Sequence, residues 1–283
     1  MAGVSMKDIK LRIKSMESTK QITKAMEMVA SSKLRRAQER VQNSRPYFEI
    51  LFDTLNTIAA NTDDFASPFL EARPVAKTCY VVIAGDRGLA GGYNHNVLNL
   101  AWSLMEERPS CVVPVGKKAL EFFQRRKAEI LTEQYAEAAE VHVGDCFTIS
   151  KMLSKGFLAG EYDEIFVVYT NFVSILSQSP AKLKLLPLEH ISLPNEKSSA
   201  CITLYEPDSL SVFDAIIPEY LGGLIYGALC ESVTSEQGAR RTAMDAATKN
   251  AEEMISDLSL KYNRARQGAI TQEITEIVAG ADA

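Results

Sequence analysis

The chain of 283 residues is 46% apolar and 24% charged, the make-up of a folded protein and not of a disordered tail. It contains no run of eighteen apolar residues, so no membrane span is expected. Its net charge of −5 is uneven: residues 1–45 hold eleven Lys/Arg against four Asp/Glu, a local +7, which leaves −12 on the remainder and points to a partner with an acidic surface around the basic segment.

From Met6 the positions Met6, Ile9, Ile13, Met16, Lys20, Thr23, Glu27, Ala30, Leu34, Ala37, Val41, Ser44, Phe48, Leu51, Leu55 and Ile58 keep a 3-4 spacing, which predicts a coiled-coil seam over residues 1–60. Ser5 is placed to cap this helix with Asp8 three residues on, and Val4 with Ile9 to staple it. Pro46 falls inside the pattern, but the spacing resumes at Phe48, so a bend is expected and not a stop. Apolar content thins at Lys20, Thr23 and Glu27, where a second stripe of Ile22, Met26 and Val29 faces something other than a two-helix interface. A helix this long buries nothing alone, so it requires a partner.

Residues 61–74 read as an exit loop. Alternation follows over 75–205: strand 78–85, helix 93–107, strand 110–116, helix 120–127, strand 129–135, helix 145–159, strand 164–174 and an antiparallel return at 182–191, with a short strand possible at 200–206. This pattern predicts a doubly wound, Rossmann-like α/β domain. The last segment, 208–283, reads as a second long helix. Pro218 and Gly222-Gly223 should leave it bent and braced against the α/β domain, and further on Ala239, Ala243, Ala247, Ala251, Met254, Leu258, Tyr262, Ala265 and Ala269 recur at helical spacing. At 1.5 Å per residue the two helices would run about 80 and about 100 Å, projecting together as an antiparallel coiled coil.

Cys79, Cys111, Cys146, Cys201 and Cys230 are odd in number and lack C-x-x-C spacing, the pattern of free thiols in a reducing compartment. His95, His142 and His190 are scattered, and no metal-ligand cluster, carboxylate pair or nucleophile-base arrangement is visible. GDRGLAGGYN (85–94) sits between strand and helix, where α/β folds bind phosphate, yet its glycine spacing fits neither the dinucleotide fingerprint nor a P-loop. It reads as a tight loop that meets another protein, with no cofactor expected. KLRRAQER (33–40) has no interleaved aromatics in an acidic chain and reads as a solvated or partner-facing flank, not a nucleic-acid patch. Arg264, Arg266, Gln267 and Thr271 lie within three turns, either an exposed helix end or a latch that grips a partner loop.

Three segments, IKLRIKSMESTKQITKAMEMVASSKLRRAQ (9–38), GDRGLAGGYN (85–94) and residues 239–281, together closely resemble the gamma subunits of F-type ATP synthases. The resemblance implies a non-catalytic rotor: terminal helices coiled inside a ring of three alpha and three beta subunits, and an α/β body gripping the epsilon subunit and the membrane-embedded c-ring. By motif match, Lys24, Met26 and Arg240 would lie near the acidic lever of the beta subunits, and Arg87 and Leu89 would touch the lower edge of the ring. Arg266, Gln267 and Thr271 would face the beta catch loop. Gly268 stands where many members of that family have Ala. The absence of a transit segment and of an inserted cysteine pair implies a bacterial protein, peripheral on the cytoplasmic face of the plasma membrane, with ATP chemistry left to the beta subunits. A nucleotide-binding α/β enzyme with a coiled-coil arm and a coiled-coil nucleic-acid binder are the competing readings.

Overall fold

The computed structural model describes residues 6–60, 67–138, 141–188 and 205–281. The Ser5 cap, the Val4 staple, the first six residues of the exit loop, His190, Cys201 and nearly all of the expected strand at 200–206 lie outside these residues. In chain order the elements are α1 (Met6–Ala60), β1 (Thr78–Ile83), α2 (Tyr93–Glu106), β2 (Ser110–Val115), α3 (Lys117–Arg125), β3 (Glu129–Ile130), α4 (Val143–Leu158), β4 (Glu164–Phe172), β5 (Gln178–Leu186) and α5 (Ser209–Ala281). They form two compact units, one of residues 1–31 with 240–283 and the other of residues 32–239.

The first unit is the antiparallel pairing of the start of α1 with the end of α5. On α1, Ile9, Thr23 and Ala30 are buried and Ile13, Met16, Lys20 and Glu27 half-buried, as the 3-4 spacing requires. On α5 the seam runs through Met244, Thr248, Ala251, Ile255, Leu258, Tyr262, Ala265 and Ala269. Met254, expected in it, is 54% exposed. The seam reads 4-3-4-3 from Met244, and a run of alanines at i, i+4 drifts off it because 3.6 residues per turn do not match a spacing of four. The thin stretch of α1 meets a polar layer: the Thr23 and Thr248 hydroxyls lie 2.7 Å apart, and Lys20 Nζ sits 2.9 Å from Glu252 Oε1. A buried polar pair in an apolar seam has one best partner, so it fixes register.

In the second unit the sheet order is β3-β2-β1-β4-β5, parallel throughout except for the antiparallel edge strand β5. This is the doubly wound order. Alternate residues of β1 feed two cores: Cys79, Val81 and Ile83 pack with α4, with Leu55 and Ile58 of α1, and with Phe213, Ile217, Leu221 and Ile225 of α5. Tyr80, Val82 and Ala84 pack instead under α2 and α3. Each such α5 side chain contributes about 1.5–3 kcal/mol by leaving water. One stretch of α5 matches a membrane span in length and composition, against the sequence-based expectation; its apolar face is this core.

α1 continues through Pro46 and α5 through Pro218. Gly222 and Gly223 brace α5 as expected, because a Cβ on Gly222 would lie 2.3 Å from Phe147 Cδ1 and one on Gly223 2.0 Å from Phe48 Cδ1. Two strands differ from expectation by four residues or more. β3 ends at Ile130 and not at residue 135. Leu131 N–H still reaches Val112 O at 2.9 Å, but two residues on Pro114 has no N–H to offer that side of β2, so the ladder stops. β5 starts four residues earlier than expected, at Gln178, and ends at Leu186 before Pro187. Its position at the sheet edge is what tolerates Pro180.

Candidate functional site

A doubly wound sheet takes ligands where its strand order reverses, at the C-terminal ends of β1 and β4. Here α5 fills that crevice. β4 outruns β1 after Val168, leaving Thr170 with backbone groups to satisfy on that side. Ser232 Oγ accepts from Thr170 N–H at 3.1 Å, and Ser235 Oγ donates to Thr170 O at 3.1 Å. The Glu236 carboxylate reaches the loop after β1, where a Cβ on Gly85 would lie 2.9 Å from its Cδ. A small gap of about 90 Å³ remains, bordered by Gly92, Asn96, Thr170 and Gln178. That is far below the 300 Å³ or more that a cofactor needs.

The glycine-rich loop is braced at its base and open at its tip. Gly85 N–H donates to Asn94 Oδ1 at 2.8 Å, and Asn94 Nδ2 donates to Arg87 O at 3.1 Å. Asp86 Oδ1 accepts from Lys117 N–H and Ala138 N–H. Arg87 and Leu89 both project into solvent, Leu89 with φ 62° and 64% of its surface exposed. A left-handed backbone costs a branched residue about 1–2 kcal/mol, and nothing in the fold rewards an apolar side chain there. The turn after β4 repeats the theme, with Val173 and Leu176 exposed and the backbone held by Gln178 Nε2 donating to Ser174 O. Sequence reasoning counted Val173 as strand and missed this tip. The apolar run FVSIL, followed by polar SQS, was the available signal.

In the coiled unit, Ile22, Met28 and Val29 are each more than half exposed and Met26 half-buried, so the second stripe does face outward. Lys24 does not stand free: its ammonium bonds Glu27 Oε2 at 2.9 Å. That bond and the Glu27 charge raise its pKa, with smaller contributions from Asp245 and Glu252. The Thr23–Thr248 pairing puts Arg240 about two turns further along, roughly 12 Å, so it is not adjacent to Lys24 and Met26. Toward the end of α5, Arg266, Gln267 and Thr271 are all exposed, and their side chains make no hydrogen bond or ion pair with any described residue. Arg264, Gln267 and Thr271 share one face at 3-4 spacing. Arg266 lies about 100° round from Gln267, aligned with Ile270, Ile274 and Ile277, which are 47–71% exposed. Arg266 therefore adjoins the line of Arg264, Gln267 and Thr271 without lying on it.

Fold and surface together define a coiled-coil protein with a doubly wound domain, its nucleotide crevice filled and its apolar side chains turned outward. The sequence family described as ATP synthase matches residues 5–283. The ATP synthase gamma chain of Ruminococcus albus is 45% identical over 279 residues, 96% of each chain. The sodium ion specific gamma chain of Acetobacterium woodii is 41% identical across 99% of this chain and 98% of its own. Among solved structures, a chain of the Euglena gracilis mitochondrial ATP synthase, in the part comprising OSCP, F1 and c-ring, superposes with TM-score 0.66 at 21% identity, covering 98% of this chain and 94% of that one. A chain of the central stalk and c-ring of the Tetrahymena thermophila enzyme gives TM-score 0.57 at 23% identity. The chain belongs to the ATP synthase gamma chain family.

Proposed function

We propose that this chain is the central-stalk rotor subunit of an F-type ATP synthase, itself non-catalytic, which couples ion flow through a membrane c-ring to conformational cycling of catalytic beta subunits. The observation that carries this reading is the coiled unit. Its seam is closed, yet it displays Ile22, Val29, Ile270 and Ile274 to solvent, as an axle turning in a protein collar requires. In this reading an alpha–beta ring surrounds the coil, while the epsilon subunit and c-ring hold the α/β domain. The protein is then peripheral, reaching the cytoplasmic face of a bacterial membrane only through those partners. The regions 1–60, 75–205 and 208–283 serve as first axle helix, grip and second axle helix.

Lys24, Met26 and Arg240 are assigned to the acidic levers of the beta subunits, Arg87 and Leu89 to the lower edge of the ring, and Arg266, Gln267 and Thr271 to a loop that must be caught and released. Each contact matters only by its difference between states of one beta subunit, and reversing such an equilibrium takes about 5.5 kcal/mol. A few charge-assisted hydrogen bonds of about 1.5–3 kcal/mol supply that. A freestanding nucleotide enzyme is disfavoured by α5 lying in the switch-point crevice. The test is affinity purification of the tagged chain from its host: alpha, beta and epsilon chains should co-elute in fixed ratio. Recovery of the chain alone, at concentrations where the complex is stable, would refute the assignment.

A further inference from the structure

A cleft of about 330 Å³ opens within the 32–239 unit between α1, α5 and the loops following β1 and β3. This volume lies in the range of small-molecule sites. One wall is cationic: Lys33, Arg36 and Arg40 follow each other at i, i+3 and i+7 on α1, so they share a face, and none forms an ion pair with a described residue. Gln237 of α5, only 7% exposed, also lines the cleft. Its amide has no hydrogen-bond partner among the described residues. The amide is not sealed off but reaches the cleft, where it is open to a ligand's polar groups. Tyr226 and Cys230 are lining residues as well. Burial pushes the Tyr226 hydroxyl up to about 12, which keeps it a neutral hydrogen-bonding group at physiological pH. Asp86 and Glu236 also line the cleft, both already engaged within the chain, Asp86 Oδ1 by the Lys117 and Ala138 N–H groups.

We infer that this cleft binds a small phosphorylated metabolite, its phosphate held by Lys33, Arg36 and Arg40 together with the Gln237 amide, and its hydroxyl or amine groups turned toward Asp86 and Glu236. Guanidinium pairs suit the oxygens of a phosphate, and a donor-rich organic part is what the lining carboxylates accept. A bare carboxylic acid would leave one cation idle, and an uncharged sugar all three. The site is separate from the switch-point crevice and independent of the rotor assignment, because every residue of it belongs to this chain.

The test is calorimetric titration of the purified full-length chain with AMP and, separately, ribose 5-phosphate in low salt. Saturable binding at one site per chain is expected, weakened at least tenfold in Arg36→Gln/Arg40→Gln and likewise in Gln237→Leu. Lys14→Gln, a charge removed elsewhere on α1, should leave it unchanged. Far-UV circular dichroism checks that each variant is folded, and Arg36 and Arg40 are exposed enough for their loss to be tolerated. No saturable heat with either probe up to millimolar concentration would overturn the proposal. So would binding that both variants leave intact, or that Lys14→Gln weakens as much as they do.

Discussion

Replacing Thr23 and Thr248 by valine, singly and together, tests how the two terminal helices are held in register. The two hydroxyls are 2.7 Å apart, and each also lies near a carbonyl of its own helix: Thr23 Oγ1 3.1 Å from Lys20 O, Thr248 Oγ1 2.8 Å from Met244 O. After Thr23→Val, Thr248 still donates within its helix, so no proton is orphaned and the loss is one net hydrogen bond, about 0.5–1.5 kcal/mol. Thr248→Val is symmetrical. In the double variant no polar group remains in that layer and two methyl groups enter an apolar seam, so most of the loss is recovered. The coupling between the two changes is therefore about 1 kcal/mol, with the double variant more stable than the sum of the singles predicts. Hydrogen exchange of peptides within 15–30 and 240–256 reads opening of the coil without requiring the chain to unfold as a whole. Strictly additive singles would show that the hydroxyls do not interact and that register is set elsewhere.

Gly222→Ala should destabilise the α/β domain by about 1–3 kcal/mol despite alanine's better helix propensity, because its Cβ would meet Phe147 at 2.3 Å; Gly268→Ala, with nothing within 4 Å, should instead protect its segment by up to about 1 kcal/mol, both read by hydrogen exchange. Leu89→Gly should raise chain stability by about 1 kcal/mol by relieving the left-handed backbone, yet lower ATP turnover of the assembled complex; unchanged turnover would remove the loop from the mechanism. Asp208 caps α5 through Ser211 N–H at 2.8 Å and Ser211 Oγ at 2.7 Å, and these bonds hold its carboxyl below the ordinary range. Its folded value being depressed, the cap's stabilisation is present above the unfolded carboxylate pKa and is lost as pH falls through the folded one. Asp208→Asn should flatten the acid limb of the melting curve, and an unaltered limb would assign acid sensitivity to other carboxylates.

Periodicity made the helices legible in the sequence. The spacing from Ile9 to Ile58 could be satisfied only by burying one stripe, and at its described positions the structure buries or half-buries that stripe. The alternation of short apolar runs with helices likewise implied the doubly wound sheet, since β1 has to feed two cores. The Ala-to-Met254 seam on α5 was misjudged because small residues at i, i+4 look like a stripe over two turns and diverge from it over four. β3 was overextended because Pro114 acts on a neighbouring strand, and a chain read residue by residue does not reveal which strands are neighbours. The contact surfaces were only half legible. Leu89 stood out through its glycine-rich surroundings, whereas Val173 looked like an ordinary strand residue and Leu176 fell in the unremarked turn between two strands, and the cleft behind Arg36 and Arg40 is assembled from segments nearly two hundred residues apart.

The central claim is that the paired terminal helices turn inside a ring that hydrolyses or makes ATP. The most direct measurement anchors the beta subunits of the purified complex to a surface and follows a bead attached at position 158, an exposed site on α4, after Leu158→Cys. With ATP added, the bead should rotate in one direction with three equal pauses per turn, and stop when the Leu89 loop is cross-linked to a beta subunit. ATP hydrolysis at full rate with a stationary bead would contradict the account.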